Sequence, residues 1–270
     1  MNNEKFDQAS YWQQRVTGQI DLGVVGHRSL GRAYNEFIYR RRVEVLTATL
    51  ASLNLDPTQL SVLDIGCGSG FYVELWRSLG VSTLTGIDIS QESVNRMASK
   101  YPGYTFMQAD VTQTSAVGEI KEKFSVVTIF DVLYHITDDH AARAALRNAS
   151  NALAEDGHLL IFDQLLDKDY SLRPHVKFRG RENFNRLLQD ANLELIGAKG
   201  LFVLLEPPVF GWKPLDYSIA GAYKLLGAAM RRSEPLGHAT GHVAYKLDNA
   251  LRKLGISTPN HELIIATRRK

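Results

Sequence analysis

The chain has 270 residues, 44% hydrophobic and 22% charged, the mix of a globular protein with a sizeable core. Its 31 Lys and Arg against 29 acids leave a formal charge of only +2, which argues against a dedicated nucleic-acid binder. The single cysteine, Cys67, rules out an internal disulfide, and a polar N-terminus without an apolar run makes a cytoplasmic protein the expectation.

In chain order, the first 60 residues carry no strand pattern and read as helical, with a basic, aromatic-rich run from Tyr34 to Arg42. Strand-like and helix-like segments then alternate, as in an α/β fold with a parallel sheet. Val62–Ile65 is a first strand, followed by a helix with Phe71, Leu75 and Leu79 at four-residue spacing along one face. Leu84–Ile87 is a second strand, and Ser90 is placed to cap the helix of Val94 and Met97. Tyr104–Met107 and the almost wholly apolar Phe124–Phe130 are the third and fourth, the latter suited to burial on both faces. A helix over Asp138–Ala154, stopping before Gly157, leads to a fifth strand at His158–Phe162. A helix near Asn183–Ala191, a strand from Leu193 and a last strand at Leu263–Ala266 complete the pattern. The predicted blocks are a helical extension or cap over 1–60, a core over 61–205, an insert or lid over 206–258, and the core's last strand over 259–270.

Ligand-binding residues fall at strand ends. The first strand runs into Asp64-Ile65-Gly66-Cys67-Gly68-Ser69-Gly70, where glycines allow positive φ and close backbone approach to a ligand. Asp88 ends the second strand, at the roughly 20-residue offset expected of a carboxylate that grips ribose hydroxyls. Asp110 closes the third strand, where it can accept from an adenine amino group. The position after Gly70 is Phe71, so the G-x-G-x-x-G dinucleotide fingerprint is broken.

This ordered set resembles the class I S-adenosylmethionine-dependent methyltransferases, whose first motif is an acidic residue followed by G-x-G-x-G. The resemblance covers roughly residues 60–165. It implies a seven-stranded Rossmann-like α/β sheet with helices on both faces, its final strand antiparallel beside the sixth. It implies S-adenosylmethionine, leaving as S-adenosylhomocysteine, held by Asp64, Gly66, Cys67, Gly68 and Gly70, by Asp88 with Ile89, and by Asp110 with Val111. Phe130-Asp131-Val132-Leu133-Tyr134-His135 is similar to the family's segment that borders both the methionine moiety and the acceptor. Tyr11-Trp12 with Arg15 resembles the family's Y/F-W-x-x-R opening, making Arg15 or Tyr39 a contact to the methionine carboxylate.

Transfer needs an acceptor aligned with the methyl group and, for oxygen or nitrogen, a base. His135 is the first candidate for that base, Tyr134 its neighbour in the site, and His175 a weaker alternative that also reads as a surface loop residue. Asp131 with Asp163-Gln164 departs from the Asp-Asn pattern of metal-dependent relatives, and the i, i+4 pair His238 and His242 lacks a third ligand, so no metal is expected.

The 206–255 stretch has seven Lys or Arg against four acids, with apolar patches at Leu225, Leu226, Ala229 and Met230 and at Val243, Tyr245, Leu247 and Leu251. It suits a lid, a homodimer contact or peripheral contact with a membrane. A small-molecule acceptor methylated on oxygen or nitrogen is the leading reading. A lipid, polyprenyl or lipid-linked glycan acceptor and a nonenzymatic cofactor-binding protein remain as alternatives.

Overall fold

The structure is a computed structural model and describes residues 27, 29–113 and 120–269. Ten strands and seven α-helices are set out over these residues. They are α1 (Arg32–Ser52), β1 (Ser61–Ile65), α2 (Phe71–Ser78), β2 (Thr83–Asp88), α3 (Gln91–Lys100), β3 (Thr105–Gln108), β4 (Phe124–Phe130), α4 (Asp139–Ala152) and β5 (Leu153–Asp163). Then follow β6 (Leu165–Leu166), β7 (Tyr170–Arg173), β8 (Val176–Gly180), α5 (Arg181–Asp190), β9 (Leu193–Gly200), α6 (Lys213–Met230), α7 (Glu234–Lys253) and β10 (Glu262–Arg268).

Seven strands form one sheet in the order β3-β2-β1-β4-β5-β10-β9. The first five are parallel, and β10 enters antiparallel between β5 and β9. Strand β4 is buried along six of its seven positions, as its apolar run requires for a strand covered on both faces. One core cluster joins α4 and α5 to one face, with Phe184, Leu187 and Leu146 buried. The other joins α1 and α2, through Leu46, Leu50 and Trp76. Chain direction sends β1, β2, β3, β4 and β5 to the same sheet edge, and the antiparallel β10 begins there, Glu262 opposite Asp163.

Four local expectations are corrected. Helix α2 buries Val73 and Trp76, with Phe71 and Leu75 only half-buried, because the large indole sets the packing face. Helix α4 ends at Ala152 and passes directly into β5, so the strand starts before Gly157 and that glycine is no helix cap. The segment after the fifth strand is a second sheet in the order β6-β8-β7, and His175 sits in the turn of its β7–β8 hairpin. In α6, Met230 is buried while Leu225 and Leu226 are exposed, so the expected patch is split between two faces. Ser90 caps α3 as its position predicts, accepting from the Ser93 N–H.

Candidate active site

Three strand ends and a helix meet at the sheet edge. The turn after β1 needs left-handed backbone: Gly66 has φ 80° and a Cβ there would collide with Val132, and at Gly70, φ 79°, it would collide with Met97. The turn is fastened to β2 because the Gly66 and Cys67 N–H groups donate to the Ile87 carbonyl, at 2.7 and 3.1 Å. Asp88 completes the tie: Oδ2 accepts from the Gly68 N–H and Oδ1 from the Ser90 N–H, both at 2.8 Å. Burial raises the Asp88 carboxyl above its ordinary value despite those bonds.

Asp64 lies beside Thr128 of β4 and accepts its hydroxyl at 2.7 Å. Burial pushes the Asp64 carboxyl up to about 6. Burial, with Asp88 and Asp64 nearby, pushes the Cys67 thiol up as well, so it is no thiolate nucleophile. Asp110 forms a turn with Thr112, taking its N–H at 2.9 Å and its hydroxyl at 2.8 Å. Val111 is buried, and Ile89 is half-buried with its carbonyl accepting from Gln108 at 3.1 Å.

After β4 the chain turns sharply at Asp131, φ 60°, into a short 3-10 turn at Leu133–His135. That turn is anchored from β8: buried Arg179 donates to the Leu133 carbonyl at 3.1 Å, the Ile136 carbonyl at 2.6 Å and Asp139 Oδ1 at 2.9 Å. Tyr134 packs its ring on His135, Phe178 and His261. Burial, with Asp131 close by, holds its phenol well above the ordinary tyrosine value, so it keeps its proton at neutral pH. His135 Nδ1 lies 2.9 Å from the His175 carbonyl oxygen, and the two rings stack at 6.1 Å. Phe130 packs on Phe162 and Tyr72.

Three residues outside the sequence-derived set complete the site. Arg42 of α1, buried, pairs with Asp131 and lies 3.6 Å from Glu206. Its guanidinium sits over the rings of Tyr39, Phe162 and Phe202, 5.5 to 5.8 Å from their centroids. Glu206 continues the chain of charges to His261, Nδ1 at 3.1 Å. Despite its burial, Arg42 and His261 hold the Glu206 carboxyl down at about 2. Arg42 was visible only as part of the Tyr34–Arg42 basic run; Glu206 and His261 belong to no local motif. Arg15, Tyr11 and Trp12 lie outside the described residues, whereas Tyr39 is buried against Phe71 at 4.3 Å.

This edge suits a cationic nucleoside. Two buried carboxylate oxygens, Asp64 Oδ2 and Asp131 Oδ1, have no hydrogen-bond partner among the described residues. Both flank the glycine turn, where a ligand's ammonium or sulfonium charge would meet them. Asp131 and Asp163 gather no further carboxylates: among the described residues no group of three His, Cys, Asp or Glu could hold a metal ion. His238 and His242 lie on α7, edge-on to the Phe37 ring.

A family model described as a methyltransferase domain matches residues 34–197. A ubiquinone biosynthesis O-methyltransferase of Brucella anthropi is 26% identical over 203 residues, 68% of this chain and 79% of the relative. A nodulation protein S of Bradyrhizobium diazoefficiens is 28% identical over 116 residues, 42% of this chain, and the match spans only 53% of that relative's length. In fold, the chain is similar to the N-methyltransferase NodS of Bradyrhizobium japonicum, solved with S-adenosylhomocysteine. The TM-score is 0.55 at 20% identity, covering 72% of this chain and 91% of that one. Similarity to the magnesium protoporphyrin IX methyltransferase of Synechocystis has a TM-score of 0.52 at 17% identity, covering 74% and 93%.

Proposed function

The chain belongs to the methyltransferase domain family, as a class I S-adenosylmethionine-dependent enzyme, and from that premise we propose that it methylates an oxygen or nitrogen of a small-molecule acceptor. The observation that carries this reading is the Asp88–Gly68 tie, which sets the glycine turn and a strand-end carboxylate side by side. Asp88 keeps a lone pair on each oxygen for ribose hydroxyls, and Asp110 with Val111 borders the base. Asp64 and Asp131 offer their unpartnered oxygens to the methionine end, with Tyr39 and Arg42 above. The bound cofactor supplies a methyl group made electrophilic by its positive sulfur. The protein's part is alignment and water exclusion: Arg179 fixes the Tyr134–His135 turn, and Phe130, Phe162 and Tyr72 close the apolar side. His135 and Tyr134 face the acceptor in this reading, Tyr134 as an orienting hydroxyl since it keeps its proton. Calorimetric titration with S-adenosylmethionine and S-adenosylhomocysteine, with NAD as control, tests it. Micromolar binding of the first two alone is expected, and no binding by folded protein refutes it.

One observation favours a second level of reading, peripheral contact with an anionic membrane. Of the four acids between 206 and 258, three are buried and used internally. Glu206 meets Arg42, Asp216 accepts from the Phe210 N–H, and Asp248 accepts from the N–H groups of Val203, Leu204 and Leu205. The exposed surface there has six Lys or Arg, at 213, 224, 231, 232, 246 and 253, against Glu234 alone. Leu236, Val243 and Leu247 align along α7, exposed, and Leu225 is 78% exposed on α6. An apolar stripe rimmed by cations fits an anionic bilayer better than a second copy carrying the same charges. No helix among the described residues is long and apolar enough to cross a membrane. The cytoplasmic face is the proposed place of action.

A further inference from the structure

We infer that His261, held by Glu206, is the base that removes the proton of the acceptor, and that the acceptor therefore presents an acidic hydroxyl such as a phenol's. The inference rests on the methyltransferase reading above and narrows its acceptor.

Topology puts His261 in the site. Strand β10 runs antiparallel to β5, so the residue before it arrives beside the end of β5, on the edge where Asp88 and Asp131 also end. The backbone is fixed on both sides: its N–H donates to Asn260 Oδ1 at 2.8 Å and its carbonyl accepts from the Leu201 N–H at 2.8 Å. The buried Asn260 amide also donates to the Glu206 carbonyl at 2.9 Å, so one side chain holds both members of the pair. Nδ1 lies 3.1 Å from Glu206 Oε2, an ion-pair contact that stabilises a proton taken up by the ring. Among the described residues Nε2 has no hydrogen-bond partner, and the ring stands edge-on to Tyr134, 5.7 Å between centroids.

Electrostatics favour the proton there. Burial lowers the His261 pKa, but Glu206 outweighs it, and the result is raised above the ordinary histidine value. Arg42 opposes the charge and Asp131 supports it; Asp163 and His27 face the same group. Asp131 and Glu206 present two carboxylates to the single Arg42 guanidinium, so a proton on His261 brings the cluster toward neutrality. His135, the base candidate in the sequence, has the His175 carbonyl oxygen against Nδ1, and a neutral carbonyl stabilises an imidazolium less than a carboxylate does.

The step balances as follows. The acceptor O–H bond breaks, its proton passing to Nε2 and its electron pair staying on oxygen. That pair forms the new O–CH3 bond as the sulfonium S–CH3 bond breaks with its pair left on sulfur. Nε2 then returns the proton to solvent.

The test combines turnover, binding and titration. Wild type, His261→Asn and Glu206→Gln are assayed from pH 5.5 to 9 with methyl-labelled S-adenosylmethionine and a panel of phenols led by 3,4-dihydroxybenzoate. His261→Asn is expected to lose roughly 10²-fold or more in kcat and the acidic limb of the pH profile, with S-adenosylhomocysteine affinity within about threefold by calorimetry. Glu206→Gln should move that limb to lower pH. In carbon-13 histidine spectra the signal absent from His261→Asn should titrate above pH 6.5 in wild type and lower in Glu206→Gln. An unchanged rate and pH profile in His261→Asn overturns the inference, as does turnover of amines with no phenol accepted. Failure of wild type to bind S-adenosylhomocysteine instead removes the methyltransferase reading, and this inference with it.

Discussion

The Gly68 N–H donates to Asp88 Oδ2 at 2.8 Å, so the turn after β1 and the end of β2 are one unit rather than two neighbouring loops. Removing the carboxylate therefore acts twice, deleting the ribose acceptor and loosening the turn that must approach the ligand. Asp88→Ala is expected to weaken S-adenosylhomocysteine binding by about 2 kcal/mol, a factor of ~30. Calorimetry checks it, and wild-type affinity in a folded Asp88→Ala would count against the assigned site.

Asp163 gives stability a specific pH dependence. Burial pushes its carboxyl up to about 7, even with the Gln164 N–H at 2.6 Å on Oδ1 and Arg179 nearby. The folded form thus binds its proton more tightly than the unfolded chain does. Its contribution is fully present below the ordinary carboxylate range and is lost as pH rises through about 7. Asp163→Asn keeps the Oδ1 acceptor and removes the charge. It should raise the melting temperature at pH 8 by ~2–4 °C, the equivalent of about 1 kcal/mol, and leave it unchanged near pH 4. A rise at pH 4 as large as that at pH 8 would rule out the titration account.

Arg179 is buried with its head against Asp139 and two loop carbonyls, so truncation leaves the Ile136 carbonyl without its donor and takes one donor each from Asp139 and the Leu133 carbonyl. Arg179→Ala should cost about 3 kcal/mol in urea unfolding. Because both carbonyls belong to the Leu133–Ile136 turn, hydrogen exchange should rise there first. The protein's affinity for S-adenosylhomocysteine should change less than its turnover. Unaltered exchange over that turn would show that β8 does not hold it.

How much of this was legible in the sequence follows from how local each signal is. The glycine turn, Asp88 and the strands of the core are written in contiguous residues, and β4 and β10 appear where their apolar runs predict. The small sheet was missed because β6, β7 and β8 are short and their strand pattern is interrupted by charged residues. Trp76 overrode the face predicted for α2 because one buried indole fills more space than the leucines spaced around it. The Arg42–Glu206–His261 chain could not be read at all. Its members come from α1, the loop after β9 and the entry to β10, and only the antiparallel insertion of the last strand brings them together.

The charge of the α6–α7 surface makes the last prediction. Sequence counting leaves the 206–258 region modestly basic, but with Asp216 and Asp248 buried to cap backbone N–H groups, the charges left on the outward face are almost all cationic. Each Lys or Arg near an anionic bilayer contributes about 1 kcal/mol, and the effect fades within a Debye length of ~8 Å at physiological salt. The protein should therefore float with phosphatidylglycerol-containing vesicles at low salt, less so at high salt, and not with phosphatidylcholine alone. Val243 and Leu254 are 65% and 76% exposed, so Val243→Glu with Leu254→Glu should leave folding intact. The pair should weaken vesicle binding at least ~10-fold, through lost apolar insertion and added repulsion. Absence of wild-type flotation would dismiss the membrane reading. If the same pair of substitutions instead dissolved a dimer in sedimentation, the stripe would be an interface between two copies of the chain.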